Sequence, residues 1–226
     1  MKPYGQIAVV ANLTPEKPHN NQAFERFTEH GPIALLPLSE NRCALVWTHP
    51  TEGVDAVMAL DDEAFLKTLN EAFGYRLGRF VKTGRRAAFP LSLTAADTVT
   101  GHRTVVIGNA AQTLHPVAGQ GLNIGLRDIS ELVEQISITL NAGGALGNPA
   151  MLTAYSEARQ KDRQSIMTYT DSLVRIFSND HWLLGHMRAG GLMALDRIKP
   201  LQRLVTKQSM GFRHRHTRLS RGLAIK

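Results

Sequence analysis

The most informative segment of the sequence is VVIGNAAQTLHPVAGQGLNIGLRD, from Val105 to Asp128. It continues a short apolar run, Arg103–Ile107, of the kind that forms a buried strand. The run enters a glycine turn at Gly108, and after the loop His115–Gly121 apolar residues recur at helical spacing. The stretch therefore predicts a strand–loop–helix unit.

The glycines of this unit suit close approach of a ligand to the backbone. Gly108, Gly119 and Gly121 tolerate positive φ. Backbone N–H groups of Gly121, Leu122 and Asn123 would stabilise an anion at the helix N-terminus. The spacing is neither a Gly-Lys-Ser/Thr phosphate loop nor the GxGxxG dinucleotide fingerprint. From spacing alone, a cofactor loop and a structural glycine turn both stay open.

Strand patterns dominate the residues before this unit. Apolar runs at Gln6–Asn12, Pro32–Leu38 and Arg42–Thr48 predict strands, the last two joined as an antiparallel hairpin. Asp61 and its neighbour offer N-terminal caps for a helix over Glu63–Phe73. A further strand is expected at 86–93.

Helical patterns dominate the residues after it. Asn148 and Pro149 are typical of a cap and a first helical turn, so they predict a long helix through about Tyr169. Further helices are expected to be interrupted near Ser178–Asp180 and at 190–191. Strands, one strand–loop–helix unit and then helices make an α+β protein.

Composition excludes several classes of protein. The 226 residues include one cysteine, Cys43, so no internal disulfide is possible and a reducing compartment is expected. No apolar run reaches membrane-spanning length, and the N-terminus lacks the features of a signal peptide. The histidine pairs 181/186 and 214/216 lack metal-ligand spacing, so no metal site is predicted.

The positive charge is concentrated in one segment. The net charge is +7, yet Arg197–Lys226 holds nine Lys and Arg and no acid, which leaves seventeen against nineteen acids elsewhere. Such a basic segment suits nucleic acid, anionic lipid or an acidic partner. A solvated helix face explains the charge equally well.

The stretch from Gly108 to Asp128 resembles the second FAD-binding motif of the class A flavoprotein aromatic hydroxylases, G-D-A-A-H…P…G-Q-G-x-N-x-G-x-x-D. Here it reads Gly108-Asn109-Ala110-Ala111-Gln112…Pro116…Gly119-Gln120-Gly121-Leu122-Asn123-Ile124-Gly125…Asp128. Asn109 for Asp, Gln112 for His, and the pair His115-Pro116 resemble the ubiquinone-biosynthesis branch. Similarity extends over nearly the whole chain, including Ala23–Trp47 and 170–173.

The resemblance implies a set of FAD-binding residues. Gly108, Asn109 and Ala110 would lie at the pyrophosphate and ribityl chain, and Pro116 would border the flavin ring. The pyrimidine edge of the flavin would meet the helix start, made of Gly119, Gln120, Gly121, Leu122 and Asn123. No acid–base residue is implied, so the catalytic residues stay unknown.

The resemblance also implies an activity. Family members reduce FAD with NAD(P)H, add O₂ to give a C4a-hydroperoxyflavin and hydroxylate a phenol, here a polyprenylated one of ubiquinone biosynthesis. Expected partners are that phenol, other proteins of the pathway and the membrane surface, but not nucleic acid. The expected location is cytoplasmic, with peripheral attachment to the inner face of the membrane left open.

One part of the family pattern is absent from this sequence. Neither GxGxxG nor the family's Asp-Gly motif occurs, so the chain is expected to correspond to the C-terminal portion of the family's proteins. The FAD site that it forms is expected to be incomplete. The predicted segments are a substrate domain at 1–100, an FAD-binding segment at 101–142 and a helical region at 143–226. A truncated, non-catalytic interaction module that docks through its basic segment is the alternative.

Overall fold

A computed structural model describes residues 1–177, 190–191, 193–209 and 217–225. The chain divides into two compact units. The first contains 2–92 and 174–184, and the second contains 93–173 and 185–226 together with residue 1. The interruption expected near 178–180 and the histidines at 181, 186, 214 and 216 lie outside the described residues. The three segments proposed from sequence stay predictions.

The first unit is built on an antiparallel sheet. Its elements are β1 (Lys2–Pro15), β2 (Phe24–Thr28), β3 (Gly31–Leu38), β4 (Arg42–Pro50), α1 (Val54–Ala59), α2 (Asp62–Phe73), β5 (Phe80–Thr83) and β6 (Ala87–Ala95). The strands lie in the order β2-β3-β4-β1-β6, and β5 also pairs with β1. Strands β3 and β4 pair antiparallel, with Ile33 opposite Trp47, so the predicted hairpin is confirmed.

Alternation along the strands places one face of the sheet in the core. Val9, Leu35 and Leu45 are buried on that face, because successive residues of a strand point to opposite sides. Helix α2 covers them with Phe65 and Leu69. Its predicted cap is confirmed, since the Asp61 side chain accepts a hydrogen bond of 2.8 Å from the Ala64 N–H.

The second unit carries the glycine-rich stretch. Its elements are β7 (Thr100–Gly101), β8 (Thr104–Val105), β9 (Gln112–Thr113), α3 (Gln120–Asn141), α4 (Pro149–Phe177) and α5 (Lys199–Ser209). Residues 93–95 at the end of β6 belong to this unit, and Thr94 there pairs antiparallel with Thr113 of strand β9. The predicted cap of α4 is confirmed by a 2.8 Å hydrogen bond from the Met151 N–H to Asn148 Oδ1. The helix extends eight residues beyond the predicted end, to Phe177.

The buried strand predicted at Arg103–Ile107 is wrong. Only Thr104 and Val105 form a strand, and they pair antiparallel with β7 in a two-residue hairpin. Arg103 has a φ of 54° and reverses the chain just before them. The apolar residues of the run are half-buried rather than buried, and they pack beside Val99 and Tyr155. Packing on helix α4, not strand pairing, therefore accommodates the apolar run.

Candidate functional site

The turn at Gly108 lies between β8 and β9. Residues Gly108–Ala110 form one turn of 3₁₀ helix, with Gly108 at a φ of 60° and the Ala111 N–H donating to the Gly108 carbonyl at 3.0 Å. The side chains of Asn109 and Ala110 are exposed, whereas those of Ala111 and Gln112 are buried. Two residues that the sequence predicts to bind FAD, Asn109 and Ala110, are therefore exposed to solvent, and the two residues that follow them are buried.

The carboxylate of Asp128, on α3, is hydrogen-bonded to this turn. Its Oδ2 accepts hydrogen bonds from the Gly108 N–H at 2.9 Å and from Gln112 Nε2 at 3.0 Å. Its Oδ1 accepts from Arg159 Nε of α4 at 2.8 Å. The carboxylate is only 1% exposed, so nearly all of its stabilisation comes from these three donors.

Three arginines and a second aspartate extend the arrangement. Arg159 also donates to Asp162 at 2.5 Å, and Asp162 accepts from Arg127 of α3 at 2.8 Å. Arg163 donates to Gln112 Oε1 at 2.5 Å and to the Ala111 carbonyl at 3.0 Å. Burial lowers the pKa of the Arg163 guanidinium, while the nearby Asp128 carboxylate raises it. Buried charges need partners, and Arg159, Asp128 and Asp162 have them in ion pairs, whereas Arg163 donates to neutral oxygens.

The N-terminus of α3 supplies the other half of the predicted set. Gly119 precedes the helix in the left-handed conformation, at a φ of 60°, and no side chain caps the first turn. The side chains of Pro116, Leu122 and Asn123 are exposed, and Leu122 is 74% exposed. Gln120 is buried. An uncapped helix N-terminus with exposed flanking residues suits an electron-rich ligand.

Open space at the glycines fits a bound cofactor. A Cβ added at Gly108, Gly119 or Gly121 would meet no atom within 4 Å. Gly125 differs, because a Cβ there would lie 3.4 Å from the Gly108 Cα, where helix and turn are in contact. Gly125 is therefore the glycine of this set at which the helix approaches the turn at Gly108. At Gly121 the packing leaves room that a ligand such as FAD would fill.

His115 packs the loop between the turn and the helix. Its side chain is 1% exposed, and its Nδ1 accepts a hydrogen bond of 3.2 Å from the Val117 N–H. Sequence left loop packing and substrate contact equally open, and the observed burial favours packing. Burial also lowers the pKa of His115 to about 4, which keeps the ring neutral at pH 7.

We expect His115 to make the protein less stable in acid. Its folded pKa of about 4 lies below the usual value of 6.5, so the unfolded chain binds more protons between these pH values. The contribution of His115 to the free energy of unfolding should fall by about 3 kcal/mol as pH decreases through that window. The measurement is urea denaturation from pH 7 to pH 4 for the unmodified chain and for His115→Gln.

The His115→Gln variant should lose this share of the pH dependence. Replacement of the exposed His102 by Gln is the matched control and should leave the profile unchanged. Equal profiles for all three proteins would contradict the burial of a neutral His115.

Comparison with known proteins identifies the family. The family model described as FAD binding domain matches residues 4–170. The fold and the exposed glycine loop are those of a flavoprotein, and the chain belongs to this FAD-binding domain family. The family resemblance seen in the motif is thereby confirmed, as is FAD as its cofactor.

Two relatives of known name are similar in sequence to most of this chain. The chain is 40% identical over 208 residues to a protein named ubiquinone hydroxylase UbiL of Rhodospirillum rubrum, covering 92% of this chain and 48% of that protein. It is 34% identical over 233 residues to the human ubiquinone biosynthesis monooxygenase COQ6, mitochondrial, covering 88% and 50%. The chain therefore spans about half the length of these relatives.

Solved structures agree on the fold. The chain matches PqsL, a probable FAD-dependent monooxygenase of Pseudomonas aeruginosa, with a TM-score of 0.64, 22% identity and coverage of 78% of this chain and 50% of that one. It matches the anhydrotetracycline hydroxylase OxyS of Streptomyces rimosus with a TM-score of 0.65, 19% identity and coverage of 96% and 42%. The expected α+β fold class is confirmed.

Sequence reasoning missed the charged residues of α4. Arg159, Asp162 and Arg163 lie three and four residues apart, which places them on one helix face. That pattern is more often a solvated face, so only the structure shows that these side chains are buried. Within the described ranges, no group of three or more His, Cys, Asp or Glu could hold a metal ion.

Proposed function

We propose that this chain is the FAD-contacting part of a flavoprotein monooxygenase of ubiquinone biosynthesis. One observation carries the proposal: the exposed turn at Gly108 and the uncapped start of α3 leave open space at Gly119 and Gly121. The names of the relatives, ubiquinone hydroxylase and ubiquinone biosynthesis monooxygenase, support the pathway. FAD, when bound, would supply electron transfer from NAD(P)H and reaction with O₂.

The residues of this chain would bind and orient the cofactor. The turn at Gly108 and the exposed Asn109 amide would contact the pyrophosphate and ribityl chain, where an amide both donates and accepts hydrogen bonds. The N–H groups at the start of α3 would stabilise negative charge on the reduced flavin. Pro116 would lie at the ring. The buried His115 beneath this loop would stay neutral and would neither give nor take a proton near pH 7.

We propose a polyprenylated phenol as substrate. Asn109, Gln112 and the pair His115-Pro116 resemble 2-polyprenyl-6-methoxyphenol hydroxylase, which supports this chemical class. The proposed reaction is hydroxylation of the aromatic ring of that phenol. A cytoplasmic location stays a prediction.

The interaction module is the second candidate. Exposed apolar residues Ile198, Leu223 and Ile225 accompany Lys199 and Arg221 in the part of the basic segment that the structure describes. Apolar and basic side chains together suit an anionic membrane surface. No helix among the described residues is long and apolar enough to cross a bilayer. We propose that this segment docks on an anionic membrane surface through these exposed apolar and basic side chains.

Titration of the purified chain with FAD tests the leading proposal. Flavin fluorescence and visible absorbance would be followed for the chain alone and for the chain mixed with the GxGxxG-containing part of a relative. Binding in either sample, strongest in the mixture, is the expected result. No binding in both, together with salt-sensitive binding to anionic vesicles, would favour the interaction module.

A further inference from the structure

The turn at Gly108 is attached to two helices through one side chain, that of Gln112. Gln112 Nε2 donates to Asp128 Oδ2 of α3 at 3.0 Å and to the Gly108 carbonyl at 3.2 Å. Its Oε1 accepts from Arg163 Nε of α4 at 2.5 Å. The side chain is 1% exposed and cannot exchange these partners for water. A single amide therefore joins the turn to both helices.

We propose that Gln112 is a positioning residue for FAD, acting through the backbone of the turn. This inference rests on the proposed function. Gln112 donates to the carbonyl of the first residue of the turn, Gly108, and Arg163 donates to the carbonyl of Ala111, the residue that follows the turn, at 3.0 Å. Buried side chains therefore hydrogen-bond the backbone at both ends of the turn, while Asn109 between them is exposed. A turn held in one conformation before binding loses less entropy when the ligand arrives.

The chemistry of the site explains why an amide suits position 112. Arg163 donates to three neutral oxygens, Gln112 Oε1 and the carbonyls of Ala111 and Ala96. Asp128 requires a donor, and Arg163 requires an acceptor, so the residue between them must supply both. A glutamine does so, and a neutral histidine does so with its two ring nitrogens. Methionine has a similar length but supplies neither.

The test compares two replacements of Gln112. Gln112→Met should weaken FAD binding by about tenfold or more, the effect of losing one to two hydrogen bonds. Gln112→His should keep the affinity within about threefold, because it restores a donor and an acceptor. Met151→Ala is the control for general loss of stability, since Met151 is buried near Gly147 at the start of α4. Melting temperature and FAD affinity are measured for each.

Amide hydrogen exchange at Gly108 and Ala111 gives a readout that needs no FAD. Both N–H groups should exchange slowly in the unmodified chain, about tenfold or more faster in Gln112→Met, and slowly again in Gln112→His. Met151→Ala should leave them slow. This pattern separates fixation of the turn from the stability of the whole chain.

Each outcome decides between the inference and the proposed function. FAD binding by the unmodified chain with unchanged affinity in Gln112→Met would overturn the positioning role and leave the proposed function intact. Equal loss of affinity in Gln112→Met and Met151→Ala would reduce Gln112 to a structural residue. If the unmodified chain binds no FAD, alone or in the mixture, the proposed function and the FAD role of Gln112 both fall. The exchange rates then still report whether the turn is fixed.

Discussion

Replacement of Asp128 by alanine is expected to lower the free energy of unfolding by about 3–5 kcal/mol, the usual cost of removing one partner of a buried ion pair. Asp128 is 1% exposed and accepts hydrogen bonds from the Gly108 N–H, Gln112 and Arg159. Without the carboxylate, the guanidinium of Arg159 loses one of its two anionic partners inside the protein. Two neutral donors also lose their acceptor, and each buried unpaired group adds to the cost.

Urea denaturation at pH 7 of the unmodified chain and three variants measures this effect. Asp128→Asn keeps one acceptor oxygen but loses the charge. Its free energy of unfolding should therefore lie between that of the unmodified chain and that of Asp128→Ala. The exposed Asp97 provides a matched control, and Asp97→Ala should change the free energy of unfolding by less than about 0.5 kcal/mol. A loss below about 1 kcal/mol in Asp128→Ala would show that the buried ion pairs contribute little.

The sequence predicted those features that depend on local chemistry. The hairpin of β3 and β4 follows from two apolar runs joined by a polar turn, and Glu40 and Asn41 adopt positive φ there. The caps Asp61 and Asn148 were identified by residue type and position, and the structure shows both hydrogen bonds. The helix start after Gly119 was predicted to within two residues. In each case neighbouring residues in the chain determine the conformation.

The features that sequence missed depend on distant partners. Strands β2 and β5 are short and have little apolar pattern, so the sequence does not indicate them. They are stabilised by pairing with β3 and β1, which lie elsewhere in the chain. The apolar run at 103–107 was given the wrong form, since its residues pack beside Tyr155, far along the chain. The buried charges of α4 were missed for the same reason. Their partners Asp128 and Gln112 lie more than thirty residues away.

The proposed FAD-binding residues are tested most directly by replacing Gly121 with leucine. We expect FAD affinity to fall by about 100-fold or more, because a branched side chain would occupy the space that the proposal assigns to the cofactor. Folding should be unaffected. A Cβ at Gly121 meets no atom within 4 Å, and the residue lies within α3, where leucine is a better helix former than glycine.

Gly53 offers a matched control in the other unit. A Cβ added there also meets nothing within 4 Å, so Gly53→Leu introduces the same side chain into open space in the unit that does not contain the loop. Gly121→Leu should melt at or above the temperature of the unmodified chain and Gly53→Leu close to it or slightly below, because Gly53 caps α1. Only Gly121→Leu should lose FAD, as measured by flavin fluorescence during titration. Retention of FAD by Gly121→Leu would place the cofactor elsewhere. A lowered melting temperature in that variant alone would mean that the chain itself fills this space.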